Sequence, residues 1–378
     1  MALFKCITYT FLLFMFLYYV FSGILAHSFD HQNFRLKRSK LVVIWGLFVF
    51  GLVMFLSTLF IKYVWVAIQN DKRPTIEIIS VYLPFIYYCF VILFILVANW
   101  WNHNYKLLVF NEIIELTETI DMSGKFKSFA LKTVIKHSIS LCKATLLVTL
   151  FVKNVTNPSN SRSWLAMAYW VYIQLTLEVL MCGFHFTIVL FENLFEVVNE
   201  HLIINMCSLK YSLPDTKMCS LSDNIDTILE IHSRLCVAAD KINNFNQSLI
   251  LFVLASGFIN LVLRVFITYH TYNTPDFDWI SPVYLCSGLI NAFVMVNSAQ
   301  GLLKASKLAQ SILLESSGFN KLDVRLERTI EAGSLVLLFN YASTSVGGLF
   351  SISMEIFIPF MAGVASFLLI LIQFIEYG

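Results

Sequence analysis

The sequence predicts an all-α integral membrane protein with seven transmembrane helices and an additional membrane-associated helix at the N-terminus. Of its 378 residues, 58% are hydrophobic and only 13% are charged, and the mean hydropathy is +0.74. Soluble domains contain about 25% charged residues, so most of this chain does not face water. The apolar runs between its polar segments set the number and order of the helices.

Seven apolar runs are long enough to predict helices that cross a bilayer, whose core needs about 20 such residues. In order, the runs are Val42–Ile61, Ile78–Ala98, Ser138–Val152, Trp164–Leu190, Leu249–Thr268, Val283–Leu303 and Phe350–Phe374. The third run is the shortest and contains Lys143. The ammonium group of this lysine has to snorkel to the membrane surface or face protein.

An earlier apolar run, Ile7–Ala26, has three interpretations. It resembles a signal peptide with Lys5 as its basic start, and it also suits an eighth span or a helix lying in the membrane surface. Cleavage would leave the basic cluster at 35–40 outside the cell, against the positive-inside rule. We therefore expect a retained segment, with residues 1–40 forming a membrane-associated helix and a basic loop.

The distribution of Lys and Arg places the N-terminus inside and the C-terminus outside. Basic residues concentrate at 35–40, whereas the segment 270–282 has none, as expected of an inner and an outer segment. This orientation puts the sequon Asn154-Val155-Thr156 outside and predicts glycosylation of Asn154.

Helices are expected to continue below the membrane. Phe191–Ile204 and Asp223–Gln247 have apolar residues at helical spacing and adjoin the fourth and fifth spans. Ser208–Ser222, which contains Pro214, predicts the turn between them. Leu322–Phe339 predicts a further amphipathic helix.

A glycine pair, Gly347-Gly348, predicts a break before the last span. The chain then divides into the N-terminal segment, a ligand-binding bundle at 41–346 and a last helix at 347–378. Within the bundle, the segments 191–248 and 304–346 form cytosolic anchor helices.

The last span carries a stripe of polar residues on an otherwise apolar helix. Glu355, Ser366 and Gln373 are separated by eleven and seven residues, which at about 100° per residue places them within about 20° of one another. A polar residue is costly in lipid unless it meets protein or water. The stripe therefore predicts a face turned toward a partner or an aqueous path, as in a pore.

No pattern supports an enzyme, a cofactor or a metal site. The sequence has no P-loop, no dinucleotide-binding glycine pattern, no HExxH and no GxSxG. None of the eight cysteines forms a CxxC pair, so neither zinc nor a disulfide framework is favoured. A net charge of +2 gives no indication of a nucleic-acid partner.

Two charged residues, Glu178 and Arg264, lie within predicted spans, where a charge is a functional candidate by default. The more frequent explanation is an interhelical ion pair, or a charge that faces the protein interior or the interface. His185 lies in an apolar helix, where a hydrogen-bonded structural role is more frequent than a ligand role.

The end of the chain resembles the insect gustatory receptors. That family closes with a threonine-tyrosine pair, five apolar residues and glutamine-phenylalanine, and this chain has Ser366-Phe367, five apolar residues and Gln373-Phe374. Serine keeps the hydroxyl, whereas Phe367 lacks one. Upstream, residues 322–327, Asn340 and residues 348–352 are similar to the family's cytosolic helix and to the start of its last span.

The resemblance implies a tastant-gated, non-selective cation channel in the plasma membrane of a sensory-neuron dendrite. Its subunits would form a homo- or hetero-tetramer with other gustatory receptor subunits, and the last helices would line a central pore. Glu355 and Ser366 would wet that pore, and Gln373 and Phe374 would form the constriction near its outer end. The last helix is closer to the bitter-type branches than to the sugar receptors.

A small-molecule tastant would bind among the other spans, in the outer half of the bilayer. Aromatic and polar residues there are ligand-binding candidates, although a membrane core with this aromatic content has such residues everywhere: Tyr82, Tyr87, Trp170, Gln174 and Tyr284.

Two other classes have several spans, a G-protein-coupled receptor and a secondary transporter. The first would place its N-terminus outside and carry an NPxxY motif in its last span, which is absent. The second would be expected to show internal repeats, and none is visible.

Overall fold

The fold of the chain was obtained as a computed structural model, which describes residues 17–23, 27–30, 35–70, 75–120, 125–156, 164–208, 215–271, 280–316 and 324–377. The helices of these ranges beyond residue 38 are α1 (Lys40–Asn70), α2 (Thr75–Trp101), α3 (His103–Thr119), α4 (Phe126–Thr156), α5 (Trp164–Ser208), α6 (Asp215–Thr271), α7 (Ile280–Ser316), α8 (Val324–Phe339) and α9 (Met354–Tyr377). The strands are β1 (His27–Asp30), β2 (Arg35–Arg38), β3 (Ser345–Val346) and β4 (Phe350–Ser351).

The prediction of an all-α membrane protein is confirmed, and each predicted apolar run overlaps one helix. By length and apolar composition alone, five of the described helical segments are able to cross a membrane. A sixth candidate is a broken span made from the second half of α2 and from α3, which meet at 72°. The helix α4 is not among these candidates, and it contains five lysines, among them Lys132, Lys136 and Lys143.

The fourth and fifth spans continue into long helices, as predicted. The helix α5 has 45 residues and α6 has 57, lengths that exceed any bilayer core. The predicted turn at Ser208–Ser222 is too long, because α6 already begins at Asp215. Residues 209–214, which include Pro214, lie outside the described residues.

The helix α5 is the centre of the bundle. It packs most extensively with α7 and α4, and also with α6, α2 and α1. Ile173, Val189 and Leu194 are completely buried along its length. Gly301 of α7 lies directly against the carboxylate of Glu192 on α5, and an added Cβ would require that carboxylate to shift.

A second apolar cluster closes the end of the bundle that is predicted to be cytosolic. It joins the ends of α5, α6 and α7 to α8, and its buried side chains include Leu202, Ile225, Leu313, Leu326 and Ile330. The ends of these helices pack against one another here, as the helical spacing of apolar residues in their sequences predicts. The helix α8 is therefore part of the folded subunit.

Just above this cluster, His232 of α6 is completely buried. Its Nε2 lies 3.1 Å from the carbonyl oxygen of Ser306 on α7, and its ring meets that of Phe195 at 4.9 Å. Burial lowers the pKa of His232 from 6.5 to about 4. The imidazole is therefore neutral and ties α6 to α7.

Acidification is expected to destabilise the protein through His232. Between pH 6.5 and 4 the unfolded chain binds a proton that the folded chain excludes, so stability falls as pH falls across this window. The shift corresponds to about 3 kcal/mol at the acid end. Thermal unfolding of the wild type and of His232→Gln, which retains an N–H donor, is measured from pH 7 to 4. The Tm of the wild type should fall more than that of His232→Gln as the pH falls across that window. A difference in Tm that stays constant contradicts the prediction.

Two short hairpins were not predicted. The basic segment contains strand β2, which pairs antiparallel with β1, and the amide of Asn111 on α3 makes two hydrogen bonds to the backbone of Leu36. The glycine break before the last span is confirmed. Gly347 and Gly348 have φ values of +58° and +69° and form the turn between β3 and β4, in a region that favours glycine.

Candidate functional site

A cavity of about 440 Å³ lies between α5, α6, α7 and α9, with α4 behind it. Its volume falls within the range of small-molecule pockets, about 300–1,000 Å³. Most of its wall is apolar, and α6 contributes Leu254 and Phe258 while α7 contributes Met295. The polar and charged side chains of α4 and α5 lie together at one side.

The polar side is organised by the carboxylate of Glu178. Oε1 accepts hydrogen bonds from Ser140 Oγ and Asn291 Nδ2, each at 2.7 Å. Oε2 forms an ion pair with Lys143 Nζ at 2.6 Å. The amide oxygen of Asn291 in turn accepts a hydrogen bond from Lys136. The buried carboxylate therefore has three donors from two other helices.

Helical spacing brings these groups together. Lys136, Ser140 and Lys143 are four and three residues apart on α4 and share one face. Gln174 and Glu178 are four residues apart on α5, facing the same cavity. Lys143 was recognised in the sequence as a charge within an apolar run, whereas Lys136 lies before that run and was not.

The structure confirms the ion-pair explanation of Glu178 and the expectation that Lys143 faces protein. His185 also has the predicted structural role, because its Nε2 lies 2.9 Å from Oγ of Ser298. The side chains of Arg264 and Asn154 lie outside the described residues. The backbone of Asn154 belongs to the last turn of α4.

Gln174 is a polar residue of the cavity whose side chain makes no hydrogen bond within the described part of the chain. Its side chain is only 8% exposed, yet it lines the cavity. A buried amide without a hydrogen bond is unfavourable. An amide that faces an enclosed cavity is therefore a candidate contact for a bound molecule.

The cavity contains two of the five predicted ligand-binding residues. These two residues are Gln174 and Tyr284. Tyr87 was predicted to line the cavity, but its neighbour Tyr88 does so instead. Trp170 instead packs in a small buried cluster with Leu147 and Tyr284.

The remaining predicted residues have other surroundings. The hydroxyl of Tyr87 donates to the carbonyl oxygen of Phe252 at 3.0 Å. The side chain of Tyr82 lies outside the described residues. The aromatic residues of a packed bundle serve mainly as core, so their sequence positions did not identify the wall of a cavity.

The last helix forms part of the cavity wall. Ile356, Phe357 and Phe360, all in the first two turns of α9, line the cavity together with Ile352 and Ser353 just before it. The start of α9 is held in place by α6, because Asn243 donates to Ser345 Oγ at 2.7 Å and accepts from the Ser345 N–H at 2.9 Å. A molecule in the cavity would thus touch the start of α9 directly.

The polar stripe of α9 lies away from the rest of the subunit. The rings of Phe360 and Phe367 contact that of Phe258 on α6, at 5.6 and 5.5 Å, whereas Glu355, Ser366 and Gln373 are exposed. The packed and polar faces are separated by about 140° around the helix. The side chain of Phe374 lies outside the described residues.

The described cysteines are free thiols. Cys89, Cys182 and Cys236 are buried, whereas four others are exposed. Cys6 lies outside the described residues. No group of three potential metal ligands occurs within the ranges that the structure describes.

The fold and the cavity define a helical membrane protein with an internal space of small-molecule size, which is a class of protein rather than a particular one. The sequence profile of the 7tm chemosensory receptor family matches residues 12–377. The chain belongs to this family.

Solved structures with the same fold include two of the insect olfactory receptor OR5 from Machilis hrabei. The receptor alone has 11% sequence identity and a TM-score of 0.70, with 97% of this chain and 98% of that chain covered. The receptor in complex with eugenol has 10% identity and a TM-score of 0.70, with 96% and 98% covered. No curated protein sequence matches the chain.

Proposed function

We propose that this chemosensory receptor is a gustatory receptor that acts as a tastant-gated, non-selective cation channel. It would work in the plasma membrane of chemosensory neurons, at their dendrites. The observation that carries the proposal is the exposure of Glu355, Ser366 and Gln373 on the face of α9 opposite its packed face. A face with these residues is unfavourable in lipid, which favours a water-filled axis between subunits.

The arrangement of four subunits would turn each stripe residue into a ring. A ring of Glu355 at the inner end attracts cations, and an apolar ring further along closes the path by excluding water. The membrane bundle at 41–346 would hold the ligand, and the last helix at 347–378 would line the pore.

The position of the cavity supports gating by a small molecule. A ligand between α6, α7 and α9 would contact Phe357 and Phe360 on the pore helix itself. If it binds more tightly when α9 is in its open position, it shifts the population toward the open channel. The olfactory receptor of the same fold that holds eugenol supports a small-molecule ligand.

Purified protein in a planar lipid bilayer tests the proposal without a G protein. A tastant panel of bitter compounds and sugars should evoke cation currents with discrete openings. A response that requires a G protein indicates a seven-span coupled receptor. Saturable uptake without discrete openings indicates a transporter.

Replacement of Glu355 by Gln is expected to reduce single-channel cation conductance about two- to fourfold, since it removes a ring of charge that concentrates cations. The concentration of ligand for half-maximal response should not change. Glu118→Gln on α3 removes an exposed acid outside the proposed pore and assembly segments and should alter neither quantity. Unchanged conductance with a shifted ligand response contradicts a pore position for Glu355.

Assembly is proposed to use α8 and the neighbouring helices at 191–248 and 304–346. Lipid gives little hydrophobic drive between spans, whereas α8 presents Leu335 and Phe339 at 64% and 82% exposure. Leu326 is unsuitable for testing this contact, because it is completely buried inside the subunit.

Replacement of Phe339 by Ser is expected to weaken the tetramer and yield smaller species on native gels. Loss of apolar interface area lowers association by about 25 cal/mol per Å². Leu108→Ser, at an exposed apolar residue on α3 outside the proposed assembly segments, is the matched control. A tetramer with undiminished stability shows that assembly does not depend on Phe339.

Glycosylation of Asn154 also remains a proposal. It depends on the outside position of the sequon, so a mass shift that is lost in Asn154→Gln supports both the modification and the orientation.

A further inference from the structure

The charged groups that line the cavity are two lysines and one glutamate, within the part of the chain that the structure describes. Glu178 is engaged by Lys143 and by two neutral donors. Lys136 is completely buried, and its acceptor among the described residues is the neutral amide oxygen of Asn291. By formal charge, the cavity wall therefore has one more basic group than acidic groups.

A buried cation without its own anion is unfavourable by several kcal/mol. An ammonium group has three N–H donors, and Asn291 satisfies one of those on Lys136. An anionic oxygen from a bound molecule would supply both the missing charge and further acceptors. Lys143 does not have the same need, because Glu178 lies 2.6 Å away.

Gln174 adds a second and independent feature. Its side chain is 8% exposed, lines the same cavity and makes no hydrogen bond to another described residue. It lies one turn before Glu178 on α5, on the side where the lysines gather. The amide supplies two N–H donors to an oxygen of the ligand.

We propose that the cavity is specific for small organic acids, with the carboxylate received by Lys136 and Gln174 and an apolar body packed against Phe258, Met295 and Phe357. The proposal deepens the function above and rests on its assumption that this cavity holds the ligand. The apolar walls suit a hydrocarbon or aromatic body, and the volume of 440 Å³ limits the acid to a small one.

Two other ligand classes fit the polar groups less well. An amine would bring a third cation beside Lys136 and Lys143, and both oxygens of Glu178 already accept hydrogen bonds. A neutral alcohol would satisfy Gln174 but would leave the charge of Lys136 without a counterion.

Three probes of equal carbon count test this assignment: 3-phenylpropanoate, 3-phenylpropanol and 3-phenylpropylamine. Their binding to the full chain in lipid nanodiscs is measured by calorimetry, which does not depend on channel opening. The acid should bind about 10- to 100-fold more tightly than the other two, the range expected for hydrogen bonds to a charged group. Equal affinities for all three probes overturn the proposal.

Two variants and a control locate the contact. Lys136→Met should weaken acid binding about tenfold and leave alcohol binding unchanged, and Gln174→Leu should weaken acid binding by a smaller factor. Lys132→Met is the matched control, since Lys132 lies one turn away on α4 and pairs instead with Glu192 at 2.8 Å. An equal loss of acid and alcohol binding in Lys136→Met indicates a structural role and contradicts the proposal.

If Lys136→Met does not fold, the proposal is tested by Gln174→Leu and by the affinities of the wild type for the acid, the alcohol and the amine. Failure of the channel function is separate from failure of this inference. Tight acid binding without current supports the acid as ligand and contradicts the channel function. Currents evoked only by neutral or basic ligands support the channel function and contradict the acid as ligand.

Discussion

Replacement of Glu178 by Met is expected to lower the free energy of unfolding by about 3–5 kcal/mol, because removal of one partner leaves the other buried charge uncompensated. Lys143 would lose an ion partner at 2.6 Å, and Ser140 and Asn291 would lose their shared acceptor. Thermal unfolding of the purified protein, followed by the loss of helical circular dichroism, measures the effect.

Two further variants make the test specific. Replacing Lys143 by Met as well should recover much of the loss, since an apolar pair of similar volume is often as stable as a buried ion pair. The exposed pair of Arg325 and Asp223 is the matched control, because exposed ion pairs contribute about 0–1 kcal/mol. If Glu178→Met destabilises the protein no more than Asp223→Asn, the network does not hold the bundle together.

Replacement of Phe374 by Ala is expected to raise the current in the absence of ligand about tenfold, a change of only ~1.4 kcal/mol in the opening equilibrium. The resemblance to gustatory receptors implies that Phe374 forms an apolar ring at the outer constriction, which a smaller side chain would widen and wet. Current at rest and with ligand, normalised to surface expression, measures the effect. Gln373→Leu should act differently and change ion selectivity or open probability.

Leu368→Ala is the control for this substitution, because Leu368 lies about 120° from Phe374 around α9. Phe374 follows Phe367 by seven residues and thus lies on nearly the same face, on which Phe367 contacts Phe258. A folded Phe374→Ala channel that is silent at rest and normal with ligand means that Phe374 only packs and that the gate is elsewhere.

Local sequence patterns predicted the helices that cross the membrane and those that form the apolar cluster at the end of the bundle. Both kinds of helix need apolar residues at regular spacing. The uninterrupted helix from Asp215 to Thr271 follows from helical spacing that runs directly into an apolar run. The hairpins around Gly347 and at 27–38 escaped prediction in the sequence, because strands of two to four residues are too short to show a period of two.

The residues that line the cavity were predicted only in part, because local sequence patterns do not show which side chains face a cavity. Gln174 was singled out as a polar residue among apolar ones, and it lines the cavity. Trp170 and Tyr87 were singled out on equal grounds and are core residues. Lys136 was missed, because its significance depends on α5 and α7 and not on its neighbours in α4.

The sequence by itself determined the membrane class, the order of the helices and the polar face of α9, since lipid requires the backbone of each span to satisfy its hydrogen bonds within that span. Only the tertiary structure decided which charges meet. Lys143 and Glu178 are 35 residues apart, and Asn291 is 113 residues beyond Glu178. Contacts between helices depend on how side chains interdigitate across neighbouring surfaces, and the same packing leaves the cavity between α5, α6, α7 and α9.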